Sequence, residues 1–221
     1  MANIKVELPG VVLGVLEANE IRVEPAGPKL VRLMDNVSEA IRHKFSLETL
    51  AESETSRSVR AMFRGWGIDP SKYRPSSEAL LRRVVQGKGL YRVSNAVDIG
   101  NLGSIESGWP FGLYDSTRMV PPITFRHGSV GEMYENIGKR MWHLEGRPVL
   151  ADALGPLGSP ISDSTRTIVT RSTNAVLAVI YAPEAAPEPW VRNSLSLLTE
   201  RLMRFAASGA IRSTFLANAN L

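Results

Sequence analysis

Residues 95–115, NAVDIGNLGSIESGWPFGLYD, constrain this chain more than any other stretch. Asn95, Asp98 and Asn101 recur every third residue, which on a helix stacks three polar groups along one stripe. Ala96, Val97, Ile99, Leu102 and Ile105 fill the other side. Asn and Asp are poor helix-interior residues because their short side chains compete for backbone hydrogen bonds. Gly100 and Gly103 weaken the helix further, each by about 1 kcal/mol relative to Ala. A helix so unfavourable in isolation must be stabilised by what it packs against. Buried polar groups need partners, so the stripe either pins neighbouring loops or contacts a ligand.

The chain has 221 residues, 43% of them hydrophobic, which suits one large domain or one domain with extensions. It has no cysteine, which excludes disulfide scaffolds, thiolate metal sites and thiol nucleophiles. The opening MANIKVELPGVVLGVLEANE has one short apolar run bounded by charges. That run is too short for a membrane span and lacks a leader's layout, so a soluble, cytoplasmic chain with no membrane partner is expected. Net charge is +4, unevenly spread. Residues 56–92 carry nine basic side chains against Asp69 and Glu78, a local +7 that leaves −3 elsewhere. Such clustering is the footprint of a phosphate-rich partner, or simply a solvated helix face.

IKVEL, VVLGVLEA and IRVEP read as short strands separated by Pro9-Gly10 and Pro25. Residues 29–45 place Leu30, Leu33, Val37, Ile41 and Phe45 at helical spacing, and SRSVRAMFRGW predicts a second helix. A third is expected from Ser76 as N-cap, with Glu78 in its first turn and QGKG as its stop. PPITFRH, RPVLAD, TRTIVT and AVLAVIYA read as strands. APEAAPEP is a linker into an amphipathic helix with Trp190, Leu195, Leu198, Leu202 and Phe205 on one side. Without a regular βαβ rhythm, the fold class is α+β.

No G-x-S-x-G elbow, Walker A loop or H-E-x-x-H is present, and His43, His127 and His143 lack metal spacing. No metal and no cofactor is expected. GNLGS and GPLGS each offer backbone N–H groups to an anion, or are plain turns. Asp115 reads as a helix cap and Asp163 as a turn residue. His127 either lines a pocket or is structural.

Five segments, in order, resemble one family. YRPSSEALLRRVVQGKG gives Arg-Pro-Ser and a Leu-Leu-Arg-Arg helix, Val97–Asn101 gives V-D-x-x-N, and Pro110–Asp115 gives a P-x-x-x-[FY]-D corner. ITFRHGSVGEMYENI carries Gly131-Glu132, and VLADALGPLGSPISDSTRTIVTRSTNAVLAV supplies the closing Asp, Gly, Ser and Thr pattern. Over residues 70–182 the chain resembles the B3/B4 domain of the phenylalanyl-tRNA synthetase β subunit. The resemblance implies an unusual β-sandwich or mixed sheet flanked by helices. Residues 56–182 would form the core, 1–55 would complete it, and 183–221 would be a linker and a helix packed upon it.

In that family the domain hydrolyses tyrosine mistakenly esterified to tRNA. The resemblance therefore implies a free-standing, trans-acting aminoacyl-tRNA deacylase, with aminoacylated tRNA as partner and no synthetase activity from this chain alone. An aminoacyl ester is labile, so such a site needs mainly to orient water and stabilise an oxyanion. The positions carried over are Asn101, Glu132 and Thr173 for catalysis. Asp98, Tyr114 and Asn174 are carried over for substrate binding, and Gly112, His127 and Ala178 are candidates beside them. Arg74, Arg82, Arg83, Lys88 and Arg92 are assigned to tRNA. Gly112 stands where the family has a pocket histidine, and Ala178 where it has an acid. A wider pocket beside Tyr114 and an amino-acid specificity other than tyrosine are therefore expected. A non-catalytic tRNA-binding module and an amino-acid-like small-molecule-binding domain are the alternative readings.

Overall fold

Residue 175 begins a nine-residue strand with no polar interruption before Tyr181, and the fold is arranged around it. In the computed structural model, residues 4–206 and 211–219 are described. The strands are β1 (Ile4–Val6), β2 (Val11–Asn19), β3 (Phe111–Asp115), β4 (Ile123–His127), β5 (Met133–Glu135), β6 (Met141–His143), β7 (Pro148–Asp152), β8 (Gly155–Gly158), β9 (Ala175–Pro183) and β10 (Ile211–Asn218). The helices are α1 (Pro28–Lys44), α2 (Leu47–Glu52), α3 (Glu54–Gly65), α4 (Ser76–Val85), α5 (Asn95–Ser107) and α6 (Glu188–Phe205).

One open sheet has the order β10-β2-β9-β3, all antiparallel. The other runs β1-β4-β7-β8, with β1 and β4 parallel. β5 and β6 form a separate hairpin. The architecture is α+β. β9 is buried almost throughout because it is covered on both faces, which suppresses the polar alternation of a half-exposed strand. On one side Tyr181 meets Phe125 of β4, with ring centroids 5.3 Å apart. On the other, a Cβ added at Gly14 of β2 would lie 3.0 Å from Val191 of α6. The layers are therefore helices, sheet, sheet. Among the described residues no helix is long and apolar enough to cross a membrane.

Several sequence expectations need correction. IRVEP is not a strand: Ile21 N donates to Asn174 O and Arg22 N to Ala206 O, so two different elements take its hydrogen bonds. TRTIVT is a 3-10 helix at Thr165–Thr167, because Ser164 and Thr173 side chains satisfy the local backbone in place of a ladder. Ser76 opens α4 but does not cap it; Pro75 stands at the N-cap. The segment expected as linker and helix ends in β10, which adds an edge strand beside β2. Its residues 207–210, 220 and 221, and residues 1–3 of the opening segment, lie outside the described residues.

α5 holds its position through the polar stripe. Ser94 caps it, and Gly108 at φ 76° ends it in the left-handed region. Asn95 Nδ2 donates to Arg22 O and Phe205 O at 2.9 Å each, while its Oδ1 accepts from Glu24 N at 3.0 Å. One buried amide thus ties α5 to the segment after β2 and to the end of α6. Gly103 is needed because a Cβ there would meet the Phe111 ring at 2.8 Å. Asn95→Ala removes the partner of three backbone groups and should destabilise the fold by about 1–3 kcal/mol, read as a lower urea midpoint at unchanged slope.

Candidate functional site

β3 alternates faces, so Gly112 and Tyr114 look one way and Phe111 and Leu113 the other. Tyr114 is wholly buried between the two sheets. Its ring fills the space over Gly112, where a Cβ would stand 2.2 Å from the Tyr114 hydroxyl. On the facing sheet a Cβ at Gly158 would meet Tyr114 Cε1 at 2.7 Å and Asp163 Oδ1 at 2.4 Å. Two glycines from opposite sheets therefore form the slot for one ring.

The Tyr114 hydroxyl donates to Asp163 Oδ1 at 2.9 Å and lies 2.9 Å from the Tyr181 hydroxyl. Tyr134 donates to Ser162 O and to Ser159 Oγ beside them. Asp163 is half-buried as a residue, but its carboxyl tip is enclosed by these rings. Burial pushes that carboxyl up to about 7, against the opposing effect of the Tyr114 hydrogen bond. Burial likewise raises Tyr114 and Tyr181 well above the ordinary phenol value.

The candidate site residues fall into four places. Gly112 and Tyr114 lie between the sheets. Ala178 pairs with Leu113 and Leu16, so its side chain points to the helix side, away from Gly112. Asp98 is fully buried on α5; its Oδ1 accepts from Val93 N at 2.9 Å, and burial raises its carboxyl against the opposing effect of backbone hydrogen bonds from Val93 and Ser94. Asn101 is half-buried and makes no side-chain hydrogen bond among the described residues. At the end of the sandwich, buried Thr173 donates to Asp115 Oδ2 at 2.6 Å, and Asn174 beside it is exposed. On the far rim Glu132 accepts from Arg126 at 2.7 and 2.8 Å, which holds its carboxyl below the usual range. His127 is exposed, its Nε2 3.3 Å from Trp66 O.

Three expectations change with this geometry. Gly112 opens no room for a ligand beside Tyr114, because the Tyr114 ring occupies it. Gly112 and Ala178, both candidates for substrate binding, do not share a pocket, because the strand register puts them on opposite faces of one sheet. Asp163 is not merely a turn residue, since its carboxyl is the acceptor for Tyr114. Asp115 does cap, accepting from Thr117 N at 3.0 Å at the start of a 3-10 helix.

The tRNA-assigned arginines also separate. Glu78 is 4% exposed and accepts from Arg60 Nε and Nη2 at 2.8 and 2.7 Å. Arg74 Nε and Arg82 Nη1 lie 3.6 and 4.0 Å from the same carboxylate. Arg83 stacks its guanidinium 3.9 Å from the Tyr91 ring centroid, near the exposed Lys88. Arg92 pairs with Asp35 at 2.7 Å.

The family model of the B3/4 domain matches residues 58–206. The chain belongs to the B3/4 domain family. Within it, the chain is 33% identical over 129 residues to the phenylalanine–tRNA ligase β subunit of Xanthomonas euvesicatoria pv. vesicatoria (strain 85-10). That match covers 54% of this chain and 15% of the synthetase subunit. A solved N-terminal fragment of the phenylalanyl-tRNA synthetase β subunit from Pyrococcus horikoshii is similar over 97% of this chain and 50% of its own, at 16% identity and a TM-score of 0.44.

The B3/4 sequence carried signals for the residues missed. Tyr181 is the one hydroxyl-bearing residue of an otherwise apolar strand, and Gly-x-Tyr at 112–114 puts an aromatic two residues from a gap on the same face. Because the folded Asp163 holds its proton more tightly than the unfolded chain, its stabilising contribution is complete below about pH 4 and lost as pH rises to about 7. Relative to Asp163→Asn, the native chain should lose at most about 1.4 kcal/mol per pH unit across that window. Urea denaturation of both proteins from pH 4 to 8 measures this, and parallel profiles would contradict it.

Proposed function

We propose that this B3/4 domain binds tRNA through the arginine face built by α3 and α4. The observation that carries the reading is the arrangement at Glu78. One buried carboxylate fixes Arg60 by a bidentate pair and draws Arg74 and Arg82 close without consuming their donors. Three guanidiniums around one carboxylate leave two net positive charges held in place, which suits phosphate oxygens. Arg57 and Arg64, one side of α3 and both exposed, extend the face. The relation to a tRNA ligase subunit supports tRNA over other polyanions.

A second reading, the trans-acting aminoacyl-tRNA deacylase, draws on Asn101. Asn95 and Asp98 on the same stripe are engaged by the backbone, whereas the Asn101 amide makes no side-chain hydrogen bond among the described residues and can orient a water or an ester carbonyl. Glu132 and Thr173 are committed to Arg126 and Asp115, so Asn101 is the carried-over catalytic group with donors to spare. A panel of mischarged tRNAs tests it. Ester cleavage lost in Asn101→Ala, at unchanged tRNA affinity, supports hydrolysis, and no cleavage of any ester at high protein concentration removes it.

For binding itself, tRNA affinity should fall steeply with salt. The double variant Arg57→Ala/Arg64→Ala should weaken binding alike across tRNA species and flatten the slope of log K against log[salt] by about 1–2. Anisotropy titrations over a salt series measure it. Salt-independent binding, or none at low salt, would sink the reading.

A further inference from the structure

Between α4 and α5 the chain runs extended through Leu90, Tyr91, Arg92 and Val93, and it presents apolar surface where a loop is ordinarily polar. Tyr91 is 52% exposed and Val93 62% exposed. The segment is nevertheless fixed at several points. Gly87 and Gly89 adopt φ +77° and +61° to turn the chain out of α4. Leu90 is buried in the core, Arg92 is tied to Asp35 of α1, and Val93 N donates to Asp98 Oδ1.

Among the described residues, Arg83 is the one group stacked on the Tyr91 ring. The Arg83 guanidinium carbon lies 3.9 Å from its centroid, a stacking distance, and Arg83 Nη2 reaches Lys88 O at 3.4 Å. A ring packed on both faces does not keep half its surface in water, so the second face is open. Its neighbours are basic: Arg83 stacked on it, Lys88 exposed close by in sequence, and Arg92 balanced by Asp35.

We propose that the open face of Tyr91 is a seat for one unpaired nucleobase, with Arg83 as its fixed backing and Lys88 placed for a flanking phosphate. The inference rests on the tRNA-binding reading and deepens it by naming a contact to single-stranded nucleotide. A cation stacked on one face of an aromatic ring, with the other face free and positive charge beside it, is the arrangement that binds bases without reading their sequence. The excess positive charge favours a nucleic acid over an apolar peptide segment at this spot. Because Arg83 and the backbone already hold the ring, little side-chain freedom remains to be lost on binding.

The test compares the full chain with Tyr91→Ala and Tyr91→Phe, using a short oligouridylate and a blunt RNA duplex. Tyr91→Ala should weaken oligouridylate binding about tenfold, with duplex affinity and salt slope unchanged. Tyr91→Phe, which keeps the ring, should bind as the native chain does. An oligouridylate bearing 5-iodouridine should photocrosslink within the peptide that contains Tyr91. Native affinity in Tyr91→Ala, or crosslinks confined to other peptides, overturns the seat while the Arg57/Arg64 salt effect still supports phosphate binding. Equal losses on duplex and oligouridylate assign Tyr91 to holding Arg83 and overturn stacking. Failure of the native chain to bind any RNA at low salt overturns the tRNA reading and the seat with it. Selective binding of an apolar peptide at Tyr91 in place of RNA also overturns it.

Discussion

The packing of the Tyr114 ring between Gly112 and Gly158 sets the relation of the two sheets. Sheets in a sandwich pack about 10 Å apart, and side chains from both inner faces must fill that space. Here a single tyrosine lies along its own strand over Gly112 and presses against the backbone of Gly158 opposite. The ring is large enough to replace two ordinary side chains, so both facing positions must be glycine. Its hydroxyl is carried into the interior and has to be satisfied there. Tyr181 and Asp163 do so, and the consequence is a carboxyl with its proton retained to near neutrality.

The same packing explains why the positions assigned to one pocket are dispersed. Filling the sandwich interior at Gly112 leaves the helix side of the sheet as the place where polar groups of α5 meet backbone. There the stripe that makes the helix unfavourable in isolation is mostly spent on structure. Asn95 satisfies backbone groups from two distant segments, and Asp98 holds the start of the helix. Pinning thus accounts for Asn95 and Asp98, while Asn101 makes no side-chain hydrogen bond among the described residues. Gly103 belongs to packing, since it lets Phe111 of β3 lie against the helix.

Much of this was legible in the sequence where a periodic pattern coincided with a buried face. α1, α5 and α6 follow from apolar spacing, β9 from its apolar run and α4 from its glycine stop, and the ordered motifs identified the family. What the sequence could not convey was pairing. Whether Gly112 and Ala178 share a face depends on the register of β3 against β9, and a shift of one residue would reverse the answer. The interior role of Asp163 was hidden for a similar reason. Its neighbours Ser159, Pro160 and Ser162 have turn chemistry, whereas the bond to its carboxyl from Tyr114, which also meets Tyr181, comes from far along the chain. β10 was missed because a strand at a sheet edge carries little periodic signal; its place beside β2 comes from tertiary pairing.

Glu78 shows how a fold can prepare a charged surface without neutralising it. A buried ion pair contributes little net stability, because desolvation offsets most of the attraction. Glu78 reduces that penalty in two ways: it sits in the first turn of α4, where the helix dipole favours a negative charge, and it receives two guanidinium hydrogen bonds from Arg60. With its oxygens satisfied by Arg60, the carboxylate attracts Arg74 and Arg82 only at 3.6 and 4.0 Å, beyond good hydrogen-bond length. Those two guanidiniums are therefore restrained by charge while their N–H groups remain available to another acceptor. A second carboxylate here would have consumed them, and none would have left three mutually repelling cations free to disperse.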